Sequence, residues 1–117
     1  MGTYLSTFYI IKSDKPVEFV VEIGHGQRAE STVYLNDLKI GDNKIDSFSL
    51  VLPGTGKDLK RQILNCTTMV RDERVETNET SVTYQLKGGR KDFKEMLQSG
   101  VEKHGDVKFY VFNVEFI

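Results

Sequence analysis

A chain of 117 residues is the size of one ordinary domain and can close a hydrophobic core without metals or disulfides. With 38% hydrophobic and 28% charged residues it is far from the composition of disordered chains, and its formal charge of -1, balanced in both halves, excludes a basic surface built for nucleic acid or anionic membrane. The single cysteine excludes an internal disulfide, "MGTYLSTFYIIK" lacks the basic start of a signal peptide, and no apolar run approaches the about 20 residues of a spanning helix; a soluble chain of one domain over residues 1–117 is expected, with the cytoplasm favoured and no compartment assigned.

Alternation of apolar and polar residues with a period of two dominates, in stretches of strand length. The first predicted strand covers 3–12, with Tyr4, Phe8 and Ile10 on the face opposite Leu5, Tyr9 and Ile11, and it stops at "KSDKP". "VEFVVEI" (17–23) places Val17, Phe19, Val21 and Ile23 on one face and Glu18 and Glu22 on the other. "STVYLNDLKI" (31–40) reads as a third strand that turns at "GDNK", and "DSFSLVL" (46–52) as a fourth. "LKRQILNCTTMV" (59–70) reads as a fifth strand, with Cys66 as a small hydrophobe in its pattern, and "TSVTYQL" (80–86) as a sixth. In "RKDFKEMLQSGVEKHG" (90–105) the apolar positions Phe93, Met96, Leu97 and Val101 form one stripe of an amphipathic helix, with Asp92 near its start and Lys103 and His104 near its end. A seventh strand, "DVKFYVFNVEFI", runs to the last residue. Seven strands with one helix before the last predict a mainly β fold, an antiparallel β-sandwich, with an open or closed barrel as the alternative.

The chemical motifs do not complete themselves. "LVLPGTGKDL" (50–59) suggests a phosphate loop, but the first glycine of that motif would fall on Val51 and its hydroxyl on Asp58, and no helix is expected after the lysine. It reads instead as a Pro-Gly turn between strands. His25 and His104 are far apart and belong to no metal-ligand spacing, and Asp42, Asn43 and Asp46 offer oxygen ligands without the order of a calcium loop. Neither histidine accompanies a strained nucleophile turn, so no catalytic residue, no metal and no cofactor is expected. Without tryptophan a sugar platform would rest on Tyr4, Tyr9, Tyr34, Tyr84 and Tyr110, and all five fall inside strand patterns. The basic cluster in "KGGRKDFK" is diluted by Asp92 and Glu95, and no nucleic-acid partner is expected.

The last strand is apolar on both faces: Tyr110, Phe112, Val114 and Phe116 on one, Val107, Phe109, Val111 and Ile117 on the other. One face needs the sandwich core and the other needs the helix or a second subunit as cover. Phe109, Tyr110, Val111, Phe112, Val114 and Phe116 are therefore the candidate interface of a non-catalytic module for protein binding or self-assembly, including strand addition at a sheet edge. The alternative is a small-ligand or carbohydrate binder using end loops, with His25, Gln27, Arg28, Asp42 and Asn43 as the candidate site, and a third reading is an enzyme assembled from distant loops. No motif identifies a family.

Overall fold

The computed structural model describes residues 2–73, 77–100, 103 and 105–117. Among them the chain forms nine strands: β1 (Gly2–Tyr9), β2 (Glu18–Ile23), β3 (Arg28–Leu35), β4 (Leu38–Ile45), β5 (Phe48–Val51), β6 (Ile63–Arg71), β7 (Glu79–Lys87), β8 (Phe93–Gly100) and β9 (Val107–Phe116). A single helical turn, α1 (Gly56–Leu59), lies between β5 and β6. The strands make two sheets, β1-β9-β6-β3-β4 and β5-β2-β7-β8, packed as a β-sandwich that does not close into a barrel.

The alternation read from the sequence decides which face each strand buries. Phe19 and Val21 of β2, Val82, Tyr84 and Leu86 of β7, Leu64 and Cys66 of β6, and Tyr110, Phe112, Val114 and Phe116 of β9 meet between the sheets. At the centre, Phe112 reaches from the five-stranded sheet onto three rings of the other: Tyr84 at 4.6 Å, Phe93 at 5.7 Å and Phe19 at 5.9 Å between centroids. The Tyr84 hydroxyl crosses back and donates to Thr68 Oγ1 (2.9 Å), which also meets Ser31 Oγ at 2.9 Å, so these three buried hydroxyls pair with one another.

Several expectations are corrected. Residues 93–100, expected as a helix, are the edge strand β8, paired with β7 from Leu86↔Phe93 to Glu79↔Gly100. The helical stripe competed with a weaker alternation of Phe93 and Leu97, and tertiary context decided between them. The short Lys87–Asp92 link returns the chain as a hairpin beside β7, whose backbone groups β8 satisfies. That link uses Gly88 at φ +101, where a Cβ would sit 2.1 Å from the Pro16 carbonyl oxygen. Val101 and His104 of the expected helix lie outside the described residues. Phe93 still contacts the last strand as expected of the helix, but from a sheet.

The expected third strand is a hairpin, β3 and β4, turning at Asn36-Asp37 with Asn36 at φ 51, while "GDNK" lies inside β4, where Asn43 takes φ 50 beside register shifts. The expected Pro-Gly turn continues into α1, whose Leu59 is fully buried. The sandwich is also not wholly antiparallel, because β1 runs parallel to β9 over eight consecutive residue pairs.

Truncating Phe112 removes the ring shared by both sheets. Phe112→Ala is expected to cost about 3–5 kcal/mol, measured by urea denaturation, whereas Phe109→Ala at the surface of the same strand is expected to cost under about 1 kcal/mol.

Candidate functional site

Strand pairing determines which side chains share the outer face of the five-stranded sheet. Because Tyr110, Phe112, Val114 and Phe116 of β9 point into the core, Phe109, Val111, Asn113 and Glu115 point out. The register carries this across the sheet. Tyr4 of β1 stands beside Val111 and Thr67, Ser6 beside Asn113 and Asn65, Phe8 beside Glu115 and Ile63, and Phe109 beside Met69 and Glu30. Side chains that would be expected to seek cover are left in solvent here: Tyr4 is 62% exposed, Phe8 64%, Ile63 46% and Phe109 45%.

Polar groups hold this face in order. Asn65 Nδ2 donates to Asn113 Oδ1 (2.5 Å), and Asn113 Nδ2 donates to the Tyr4 hydroxyl (2.7 Å), linking β6, β9 and β1 on the solvent side. A depression of about 230 Å³ lies between Phe8, Ile63 and Asn113. The outer face of the other sheet is mostly polar, presenting Glu18 and Glu22 of β2, Thr83 and Gln85 of β7, and Lys94 and Gln98 of β8, with the half-buried Val20 and the exposed Val51 and Met96 as its apolar groups.

Of the six residues expected as an interface, Phe109 and Val111 lie on the outer face of the five-stranded sheet. Tyr110, Phe112, Val114 and Phe116 are fully buried between the sheets and cannot meet a partner while the chain is folded. The expected helix cover does not exist, since residues 93–100 belong to the opposite sheet. Tyr4, Phe8, Ile63 and Met69 lie on the same face, which their own strand patterns do not join to the last strand. The placing of Tyr4 and Phe8 opposite Leu5 and Tyr9 is a signal of it, but only the register with β9 shows that they adjoin Phe109 and Val111.

The loop residues expected as a ligand site are not brought together as one. His25 is exposed in the β2–β3 turn at φ 57, while Asp42 and Asn43 lie within β4 opposite the middle of β3. Asp42 is within 3.8 Å of Lys39 Nζ. Gln27 is buried and structural: its Nε2 donates to Asp72 Oδ1 (2.8 Å) and to the Glu79 carbonyl (3.1 Å), and its Oε1 accepts from Glu73 N (2.8 Å). Asp72 is itself fully buried, and its Oδ2 has no hydrogen-bond partner among the described residues. Arg28 pairs with Asp46 at 3.2 Å, and Asp46 Oδ1 accepts from Ala29 N (2.9 Å), which uses that carboxylate to shape the turn before β5. Among the described residues no three His, Cys, Asp or Glu side chains gather as a metal-binding group.

The glycine-rich "PGTGKDL" loop spends its own helical turn on itself. Asp58 Oδ2 accepts from Thr55 N (2.9 Å), a bond that holds the carboxyl below its usual range and places a negative charge at the amide a phosphate would need. Cys66 is enclosed, and burial pushes its thiol up to about 12, far from a nucleophile's range. Burial likewise raises Tyr9, Tyr84 and Tyr110.

Comparison with models of known families, with curated proteins and with solved structures finds no match for this chain.

Two predictions separate packing from surface chemistry. Gln27→Ala is expected to cost about 2–3 kcal/mol through the buried partners it strands, against less than about 1 kcal/mol for Arg28→Ala at its exposed ion pair, both read by thermal and urea unfolding. Cys66 should resist a thiol reagent at pH 8 until the protein unfolds. Because its folded value, about 12, lies above the ordinary 9.0, its contribution to stability is complete below about pH 9 and is lost as pH rises towards 12. An alkaline titration followed by circular dichroism checks the sign.

Proposed function

We propose that this chain is a non-catalytic interaction module that binds a protein partner through the outer face of its five-stranded sheet. The observation that carries the reading is the exposure of Tyr4, Phe8, Ile63 and Phe109 on one sheet face, Phe109 and Tyr4 on adjacent cross-strand rows and Phe8 and Ile63 on either side of Glu115, while the other sheet turns mostly polar groups outward. Exposed aromatic groups on a rigid sheet supply large contact area at small entropic cost, which suits a protein partner. The Tyr4-Asn113-Asn65 chain of hydrogen bonds holds the Tyr4 ring in place, so little ordering of that side chain remains when a partner arrives. The four raised groups lie in the core and Asp58 closes its own turn, so the shifted groups are engaged structurally rather than aimed into a cleft.

The test is a photo-crosslinking side chain introduced in cells at Phe109 or Phe8, compared with Met96 on the other sheet. Defined protein adducts are expected from the first two positions and not from Met96. Absence of adducts at Phe109 and Phe8, or equal labelling at all three, would overturn the reading.

A further inference from the structure

We propose that β1 is a self-pairing edge, and that two copies of this chain join antiparallel through it into one continuous sheet. The proposal deepens the reading of the outer face as an interaction surface by naming a partner, a second copy, and a contact line along its border.

The sandwich has four edge strands, and three carry features that discourage pairing with another chain. β4 carries Lys39, Asp42 and Lys44 and is broken by register shifts against β3. β5 has only four residues, and Pro53 follows closely. β8 carries Lys94 and Glu95. β1 is different: its eight residues, "GTYLSTFY", contain no charge and no proline, and they pair with β9 without a register shift.

The phase of the backbone is fixed by bonds at the end of β1. Ile117 N donates to the Tyr9 carbonyl (3.0 Å) and Ile11 N donates to the Ile117 carbonyl (3.2 Å), so the odd-numbered residues direct their backbone groups at the β9 side. The even-numbered residues Gly2, Tyr4, Ser6 and Phe8 therefore direct N–H and C=O away from the sheet, and the side chains of Tyr4, Ser6 and Phe8 are exposed on its outer face. A two-fold axis at Ser6 sets Ser6 against Ser6 of the second copy and Tyr4 against its Phe8. These are all residues with outward backbone groups, so each pair exchanges both N–H···O=C bonds. The same axis stacks two Tyr-Phe cross-strand pairs on the outer face.

The register is selected by what alternatives lose. Sliding by two residues one way sets Tyr4 against Ile10, whose carbonyl already accepts from Arg90 N (2.9 Å), and Ser6 against Phe8; sliding the other way sets Phe8 against Gly2 and Tyr4 against Ser6; either slide removes both aromatic pairs. A two-fold axis always brings like residues near one another, and on β1, unlike β4 and β8, this incurs no like-charge repulsion, while β5, also uncharged, has half its length. Each chain has one such edge, so pairing closes at a dimer.

Size-exclusion chromatography with light scattering, over a tenfold concentration range, tests this on the full chain alongside Ser6→Lys, Ser6→Pro and Phe109→Lys. The wild type is expected at twice 13.3 kDa. Ser6→Lys places two like charges on the axis, and Ser6→Pro removes an N–H that the monomer does not use in its ladder. Each is expected to keep the wild-type circular dichroism and to weaken dimerisation by at least about 100-fold, a loss of about 2.7 kcal/mol. A wild type that stays monomeric overturns self-pairing, as does a dimer that survives both Ser6 variants. Loss of the dimer in Phe109→Lys alone would overturn edge pairing while leaving the outer face as the interaction surface. A Ser6-dependent dimer with no crosslinks from Phe109 would do the reverse.

Discussion

The stack of Phe112 on Tyr84, Phe93 and Phe19 is the contact on which the rest of the sandwich depends. One residue of β9 touches rings from β2, β7 and β8, so it joins the five-stranded sheet to three of the four strands of its neighbour. Aromatic pairs of this kind contribute about 0.5–1.5 kcal/mol each beyond the area they bury. Their geometric effect is as important. With Phe112 inward, alternation forces Val111 and Asn113 outward, and a slip of one residue would exchange the two sets. The core thus specifies what the surface of β9 displays, and through the register with β1 and β6 it specifies the whole outer face.

Polar residues keep this arrangement unique. The Tyr84 hydroxyl meets Thr68, and Thr68 meets Ser31, three buried groups from β7, β6 and β3 that satisfy one another only in this register. At one end, Tyr9 donates to the Leu86 carbonyl (3.2 Å) and accepts from Gly89 N (3.0 Å), tying the end of β1 to the β7–β8 hairpin of the opposite sheet. At the other, Gln27 ties the β2–β3 turn to the segment after β6. A hydroxyl or amide buried without its partner costs more than the bond it makes contributes, so these groups penalise alternative registers more than they stabilise the native one.

Two kinds of residue are therefore separated in space although they alternate in sequence. Those that hold the sheets together face inward and are enclosed; those left over on the five-stranded sheet include large apolar side chains with no cover among the described residues. Charge is placed where sheets would otherwise extend, on β4 and β8, and is missing from β1. The exposed face and the uncharged edge adjoin at Tyr4 and Phe8, which belong to both.

Period-two alternation makes most strands legible from the amino-acid order alone, including the inward faces of β2 and β7, because side chains on successive residues of a strand must point to opposite sides. Turn chemistry at Asn36-Asp37 is also present in the sequence, yet the apolar residues around it conceal the hairpin. The segment 93–100 is not legible, since its helix-favouring residues describe a local preference, and pairing with β7 is a non-local gain that local periodicity does not register. The same limit governs the candidate site. The sequence by itself determined that Tyr110, Phe112, Val114 and Phe116 share one face of the last strand and that Tyr4 and Phe8 share a face. Only tertiary structure decided which face is core, that β1 runs parallel beside β9, and that their outward residues form one surface, because strand order and register are set by packing between residues distant along the chain.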